Sequence, residues 1–375
     1  MNTCEKFARK FSGMNTSKSR VFNPFAMNTY KKGGGRGGLL PTAAALVFLL
    51  TLSAVFASAQ IPTLNPEDHV LDQAKSVLDQ GNAASAEHIV RQYIADHSES
   101  AEAHFLLGLI LFREVQLGAS AQEVAPGQQF NALNSQLAQQ TKEKAEASLA
   151  EYTAGARFHK PSAADLKVVA LDYVLLADFA DADKWLSLSL QWDPSDPQAW
   201  YLLGRAKYNE NRFEEAIQSF QQCLRFEPRN AKAEDNLGLS YEGLGKFAEA
   251  IAAYRRAIAL ESSGTTSAAS AGPYLDLGSL LLDQSRPQDA VQYLLRATEI
   301  APGESRAHEK LGKAYELLNR LPEAQSELQK AVQLSPESAR LHFMLGQVYR
   351  KQGLTQKAKD ELDRSAALNG THSVP

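Results

Sequence analysis

One dipeptide recurs through the second half of this chain at nearly fixed intervals. Leu203-Gly204, Leu237-Gly238, Leu277-Gly278, Leu311-Gly312 and Leu345-Gly346 are separated by 34, 40, 34 and 34 residues. A single globular core gives no reason for such a period. A tandem array does, because each unit buries its apolar face against the next one along. An array built by stacking has an extended surface as its main product, and such a surface commonly holds another molecule.

Each unit is numbered so that Leu-Gly falls at places 7 and 8. The unit starting at Pro197 then has Trp200 at place 4, Ala216 at 20, Phe220 at 24, Cys223 at 27 and Pro228 at 32. Tyr241, Ala250, Tyr254 and Ala257 take places 11, 20, 24 and 27 of the unit at Ala231. Units at Ala271, Ser305 and Ala339 repeat the scheme with Leu294, Leu328 and Leu362 at place 24. Places 4, 7, 8 and 11 form one stripe of a first helix, and places 20, 24 and 27 form a stripe of a second. Small residues at 8, 20 and 27 let the two helices approach, and large ones at 4, 7, 11 and 24 fill the space between. Pro near place 32 ends the second helix. A helical Gly costs up to ~1 kcal/mol against Ala, so five at one place need a packing reason.

These residues resemble the tetratricopeptide repeat (TPR) pattern, whose helix-turn-helix units have this period. In phase upstream, a unit at Ala163 has Leu166, Ala170, Tyr173, Ala182 and Leu186, one at Ala101 has Leu107 and Gly108, and a weaker one begins at Glu67. The resemblance implies an all-α fold, a right-handed α-solenoid of stacked TPR repeats over residues 67–372. The eight repeats fall near 67–100, 101–162, 163–196, 197–230, 231–270, 271–304, 305–338 and 339–372. The second is split by an insertion at about 114–143, rich in Gln, with a helical stretch expected at 130–141 and disorder around it. Residues 262–270, rich in Ser, Thr and Ala, lengthen one inter-repeat loop. A closing helix at 355–368 turns Lys357, Lys359, Asp360, Asp363 and Arg364 outward, the polar face an end cap requires.

Residues 1–59 are of another kind, and 60–66 link them to the array. They hold eight Lys/Arg and one acid, Glu5, and an apolar run at 39–59 ends Ala57-Ser58-Ala59 before Gln60. This is the layout of a cleavable secretory signal. Met-Asn-Thr occurs at Met1, Met14 and Met27, and a start at Met27 gives a leader of ordinary length. The expectation is an exported protein, periplasmic or secreted; kept uncleaved, residues 39–59 are just long enough to anchor it in a membrane. Without the leader the formal charge moves from −4 to −11, which argues against a nucleic-acid surface. Only Cys4 and Cys223 exist, so the exported chain has no internal disulfide.

No catalytic, cofactor-binding or metal-binding set emerges. His308-Glu309 opens like a zinc-protease helix, but Gly312 stands where the second His is required. His104, His308 and His342 all occupy place 4, a packing position, and Cys223 takes a place filled by Ala in neighbouring repeats. Asp181, Asp183, Glu214 and Glu215 fall in turns or on solvated faces. What remains is a surface.

In TPR arrays the first helices line the concave side, and places 2, 5, 9, 12 and 13 meet the ligand. The resemblance therefore implies a peptide-binding groove made of Phe105, Leu109, Phe112, Lys167, Tyr201, Arg205, Tyr208, Asn209, Lys313, Arg340 and Arg350. Its N-terminal part is apolar and its C-terminal part charged. The pattern that clamps a chaperone's terminal carboxylate needs Lys at place 5 and Asn at place 9; Lys167 is followed by Leu171, so that role is disfavoured. The expected function is a non-enzymatic adaptor or scaffold for a protein or peptide partner. The alternative is a membrane-tethered assembly factor of envelope or secretion machinery, and a helical-array enzyme stands third.

Overall fold

The computed structural model describes residues 66–121, 130–262 and 270–371. The leader, the centre of the insertion and most of the Ser/Thr/Ala-rich loop lie outside these residues. Among the described residues there are sixteen helices and no strand, and none of the helices is long and apolar enough to cross a membrane.

The helices come in eight pairs: α1 (Pro66–Asp79) with α2 (Ala83–Asp96), α3 (Ala101–Ala121) with α4 (Phe130–Gly155), α5 (Ala163–Leu175) with α6 (Phe179–Trp192), and α7 (Pro197–Asn209) with α8 (Phe213–Phe226). Then follow α9 (Ala231–Gly243) with α10 (Phe247–Ser262), α11 (Gly272–Asp283) with α12 (Pro287–Ile300), α13 (Ser305–Leu317) with α14 (Leu321–Leu334), and α15 (Ala339–Lys351) with α16 (Thr355–Thr371). The chain is an all-α solenoid, divided into two compact units: one up to Pro161 with Val174–Leu176, the other of Ser162–Tyr173 and everything from Ala177.

The packing reason for the recurrent glycine is direct. A Cβ on Gly204 would lie 2.6 Å from Phe220 Cε1, one on Gly238 2.6 Å from Tyr254 Cε1, and one on Gly278 2.6 Å from Leu294 Cδ2. Gly108 against Tyr152, Gly312 against Leu328 and Gly346 against Leu362 repeat the relation. Place 8 is thus the seat for the large side chain at place 24. Phe220, Tyr254, Leu294 and Leu328 are fully buried there, each burial stabilising by roughly 1.5–3 kcal/mol.

Side-chain caps start many of the helices. Asn82, Asp178, Asn230 and Ser338 accept hydrogen bonds from backbone N–H groups three residues on, and Asp196 accepts from Gln198 and Ala199 ahead of Pro197. Such caps contribute about 1 kcal/mol each. In seven of the eight pairs the turn is closed by one left-handed residue at place 15: Gly81, Ala177, Asn211, Gly245, Ser285, Asn319 and Gly353, with φ between 56° and 85°. The next residue's N–H reaches back to a helix carbonyl, as Arg212 does to Lys207 at 2.9 Å, and so satisfies a terminal acceptor.

In four of the repeats place 4 fastens the repeat to the one before. Trp200 Nε1 donates to the Pro194 carbonyl at 2.9 Å. His308 bridges Glu327 Oε2 (2.6 Å) and the Pro302 carbonyl (3.0 Å), and His342 bridges Glu361 Oε2 (2.6 Å) and the Pro336 carbonyl (2.9 Å). In the first unit His104 does the same with Glu151 (2.7 Å) and the Ser98 carbonyl (3.0 Å).

The segment at 114–143 is not mainly a loop. α3 has 21 residues and α4 has 26, against 12 to 17 for the other helices, so most of the extra length extends the pair itself. At 1.5 Å per residue, the eight residues by which α3 exceeds a thirteen-residue first helix such as α7 add about 12 Å. An ion pair between Lys144 and Glu114 ties the two helices beside the extension, and residues 122–129 are outside the described chain.

Candidate functional site

Successive first helices approach one another: α7 meets α9, α9 meets α11, and α11 meets α13. Their shared face is where the resemblance puts a ligand, and the structure treats the expected residues very differently.

Phe105 and Phe112 are buried. The Phe105 ring stacks on Tyr152 with centroids 5.8 Å apart and fills the space beside Gly155, and Leu109 packs against the core of the first unit. These three serve the packing of their own unit, which corrects the expectation of an apolar N-terminal ligand surface. The spacing that places Phe105 on the first helix could not show that its ring turns onto Gly155, in the second helix of the same repeat, where a Cβ would stand 2.6 Å from Cε1. Lys167 is also engaged: its ammonium lies 2.6 Å from Asp196 and 3.1 Å from Gln198. Asp196 thereby caps α7 and holds α5 to it.

The seam between α7 and α9 is another matter. Tyr201 is part-buried, its ring 6.0 Å from Phe220, and its hydroxyl accepts from Asn236 Nδ2 at 3.4 Å. The Arg205 guanidinium sits 5.7 Å from the Tyr201 ring centroid. Burial pushes the Tyr201 hydroxyl up from its ordinary value, with Arg205 acting the other way. Burial, and then Arg205, pull the Lys232 ammonium down, while Glu261 works against them. Tyr208 meets Phe213 edge-on at 5.5 Å, and Asn209 donates to the Arg205 carbonyl at 2.8 Å. The result is a patch of half-buried aromatic, cationic and amide side chains along the seam, with Lys232 exposed beside them.

Further along, Lys313 and Lys351 both reach Glu316 at 2.7 Å, Arg340 pairs with Glu309 at 2.7 Å, and Arg350 donates to Gln347. Asn236 and Lys351 belong to this face and were not picked out from sequence. Lys351 stands at place 13, one of the expected places, whereas Asn236 stands at place 6, outside them, and only the pairing of neighbouring first helices brings it in.

Elsewhere several titratable groups are committed to structure. Asp183 and Glu215, expected on solvated faces, join Lys207 and Arg212 in a cluster linking α6, α7 and α8: Arg212 lies 2.6 Å from Asp183 and 2.5 Å from Glu215, and Lys207 lies 3.1 and 3.0 Å from the same two. Hydrogen bonds from Arg212 and then Lys207 hold the Glu215 carboxyl down to about 2. Cys223 is fully buried, and burial pushes its thiol up to about 12, far from a reactive thiolate. Among the described residues no group of three His, Cys, Asp or Glu side chains is placed to hold a metal.

Tetratricopeptide repeat family models match residues 71–125, 197–230, 229–303 and 315–372. No curated protein matches the sequence significantly. Of solved structures, a tetratricopeptide repeat protein from Parabacteroides merdae aligns over 80% of this chain and 98% of its own at 14% identity, with a TM-score of 0.53. PilW, a type IV pilus biogenesis factor, aligns over 53% of this chain and 90% of its own at 21% identity and a TM-score of 0.47. YrrB, a TPR protein with an unusual peptide-binding site, aligns over 50% and 93% at 20% identity and 0.42. The Parabacteroides merdae structure shares the fold, and with four repeat models matching along the sequence, this chain is a tetratricopeptide repeat protein.

Proposed function

We propose that this protein is a non-enzymatic adaptor that holds a protein or peptide partner on the first-helix face of its second unit. The reading rests on the patch of Tyr201, Arg205, Asn236 and Lys232 where α7 meets α9. Tyr and Arg dominate binding hot spots because each combines apolar area with directed polar atoms at little conformational cost. A partner segment crossing this seam would contact both helices at once. His104, His308, His342, Asp183 and Glu215 are held in joints and ion pairs, which supports this reading.

The leader adds a location: export to the periplasm or beyond, with cleavage before Gln60. A second reading, a membrane-tethered assembly factor of envelope or secretion machinery, is favoured by the length of the apolar run at 39–59. The mass of the mature protein separates the two, since a chain beginning at Gln60 has no tether. For the binding face, crosslinking in the native compartment should recover a protein partner. Tyr201→Ala with Arg205→Ala should weaken its capture while helix content stays unchanged. Full capture by that variant would remove the seam from the proposal.

A further inference from the structure

The first-helix face of the last two repeats differs in charge from the rest of its unit. α13 and α15 carry six Lys/Arg and two Glu, whereas α5, α7, α9 and α11 carry four Lys/Arg and seven acids. The two acids do not cancel the cations. Glu309 is covered by Arg340, and Glu316, its side chain 9% exposed, is chelated by Lys313 and Lys351. The cations remain outside: the Arg340 side chain is 68% exposed, and Arg306, Arg350 and Lys351 are exposed too.

An apolar group stands in the middle of this row. Arg340, Phe343, Gln347 and Arg350 follow at steps of three, four and three, which puts them on one stripe of α15. Phe343 is 49% exposed, between a cation one turn before it and another two turns after it. Leu317, 50% exposed, ends the facing helix α13. Neither is needed to fill the core, where the large side chains of these helices include Leu311, Tyr315, Leu345, Val348 and Tyr349.

We propose that this α13–α15 face docks an acidic segment of a partner protein, with an apolar side chain of that segment set against Phe343. This rests on the adaptor reading above and gives that reading a partner chemistry. Charge complementarity selects the occupant. The chain beyond the leader carries 31 basic and 42 acidic residues, so an acidic segment meets repulsion over most of the molecule and attraction here. At physiological salt the screening length is ~8 Å, so the local row of cations governs the encounter. An acidic segment also leaves the three existing ion pairs in place, because it can share the outer N–H groups of Arg340, Arg350 and Lys351 without displacing Glu309 or Glu316.

The test is fluorescence anisotropy on the full chain with short fluorescein-labelled peptides. The probes are a run of Glu with one central Leu, the same run without the Leu, and the Leu peptide with Lys in place of Glu. The Glu–Leu peptide should bind, weaken with added salt, and lose at least about tenfold in affinity with Arg340→Glu plus Arg350→Glu. Phe343→Ala should weaken the Glu–Leu peptide and leave the Leu-free peptide unchanged. As a control of equal net charge, Arg225→Glu at the end of α8 with Arg229→Glu in the turn after it should leave binding as it is. Equal binding of the Lys peptide, or equal loss with the α8 control, overturns the inference. So does sedimentation showing a dimer that the Arg340/Arg350 variant abolishes, since the face would then hold a second copy. The adaptor reading is judged separately by partner capture and its loss at Tyr201 and Arg205, so either can fail alone.

Discussion

Replacing Gly238 by Ala poses two opposing effects on one atom. Helix propensity favours Ala by up to ~1 kcal/mol. Against it, the new Cβ would stand 2.6, 2.7 and 3.0 Å from Cε1, Cδ1 and Cζ of Tyr254, where carbon atoms ordinarily rest ~3.5–4.0 Å apart. The ring would have to withdraw by about 1 Å. It has nowhere to go, being fully buried with its hydroxyl donating to Glu242 at 3.1 Å. Overpacking of this kind costs ~1–3 kcal/mol, so the net expectation is destabilisation by about 1–2 kcal/mol. Gly346→Ala is the internal comparison. Its Cβ meets Leu362 at 2.9 and 3.1 Å and the Ala358 carbonyl oxygen at 3.3 Å; Leu362 is only partly buried on the last helix and can turn aside, which leaves the tight backbone contact, so the net cost should be smaller than at Gly238. Arrays of repeats do not unfold as one block, so the readout is hydrogen exchange of the amides of α9 and α10 against those of α15 and α16. Equal effects at the two sites, or a Gly238→Ala chain stabilised by the full propensity gain, would refute the seat described for place 8.

Three further outcomes follow from the same geometry. His342→Ala removes the bridge to Glu361 and the Pro336 carbonyl and should cost about 2–3 kcal/mol, read as faster exchange in α14, α15 and α16 together; exchange changed in α15 alone would contradict a joint. Ser285→Gly replaces a left-handed residue at φ 56° and should raise the melting temperature of the protein by relieving about 1 kcal/mol of backbone strain, whereas Gly245→Ala at φ 71° should lower it. The Glu215 carboxyl, held down to about 2 by Arg212 and then Lys207, contributes stability that is fully present above the ordinary carboxylate value and is lost as pH falls toward about 2. Because its side chain is 46% exposed, the contribution is below about 1 kcal/mol; Arg212→Gln should cost most above pH ~5 and progressively less toward acid, and a penalty independent of pH would rule this out.

The sequence carried the helix pairs because their signal is a spacing: Leu277, Gly278, Ala290 and Leu294 declare a seat and its occupant without any knowledge of neighbours. Place 15 shows the limit of that signal. Gly81, Ala177, Asn211, Gly245, Ser285, Asn319 and Gly353 share one backbone conformation, yet only three are glycine, so composition alone conceals the common turn. The joints were hidden for another reason. His308 at place 4 could be recognised as a packing residue, but its partner carbonyl, Pro302, belongs to the preceding repeat and becomes its neighbour only when the stack closes. The first-helix face was legible as a set of places and not as a surface. Phe105 and Tyr201 stand at the same place 5, and one is buried beside a glycine while the other keeps its hydroxyl at a seam.

The His342 bridge bears on how much of this chain can be trimmed. Its two partners come from either side of α15 along the chain, Glu361 in the last helix and the Pro336 carbonyl in the turn after α14. A chain cut before Glu361 would lose more than a terminal helix. The imidazole would be left with one anchor, and the hold on the turn after α14 would slacken, so the damage would pass inward beyond the cut. Shortened versions of this protein should therefore end at whole repeats, between α14 and α15 or after α16, and never between α15 and α16.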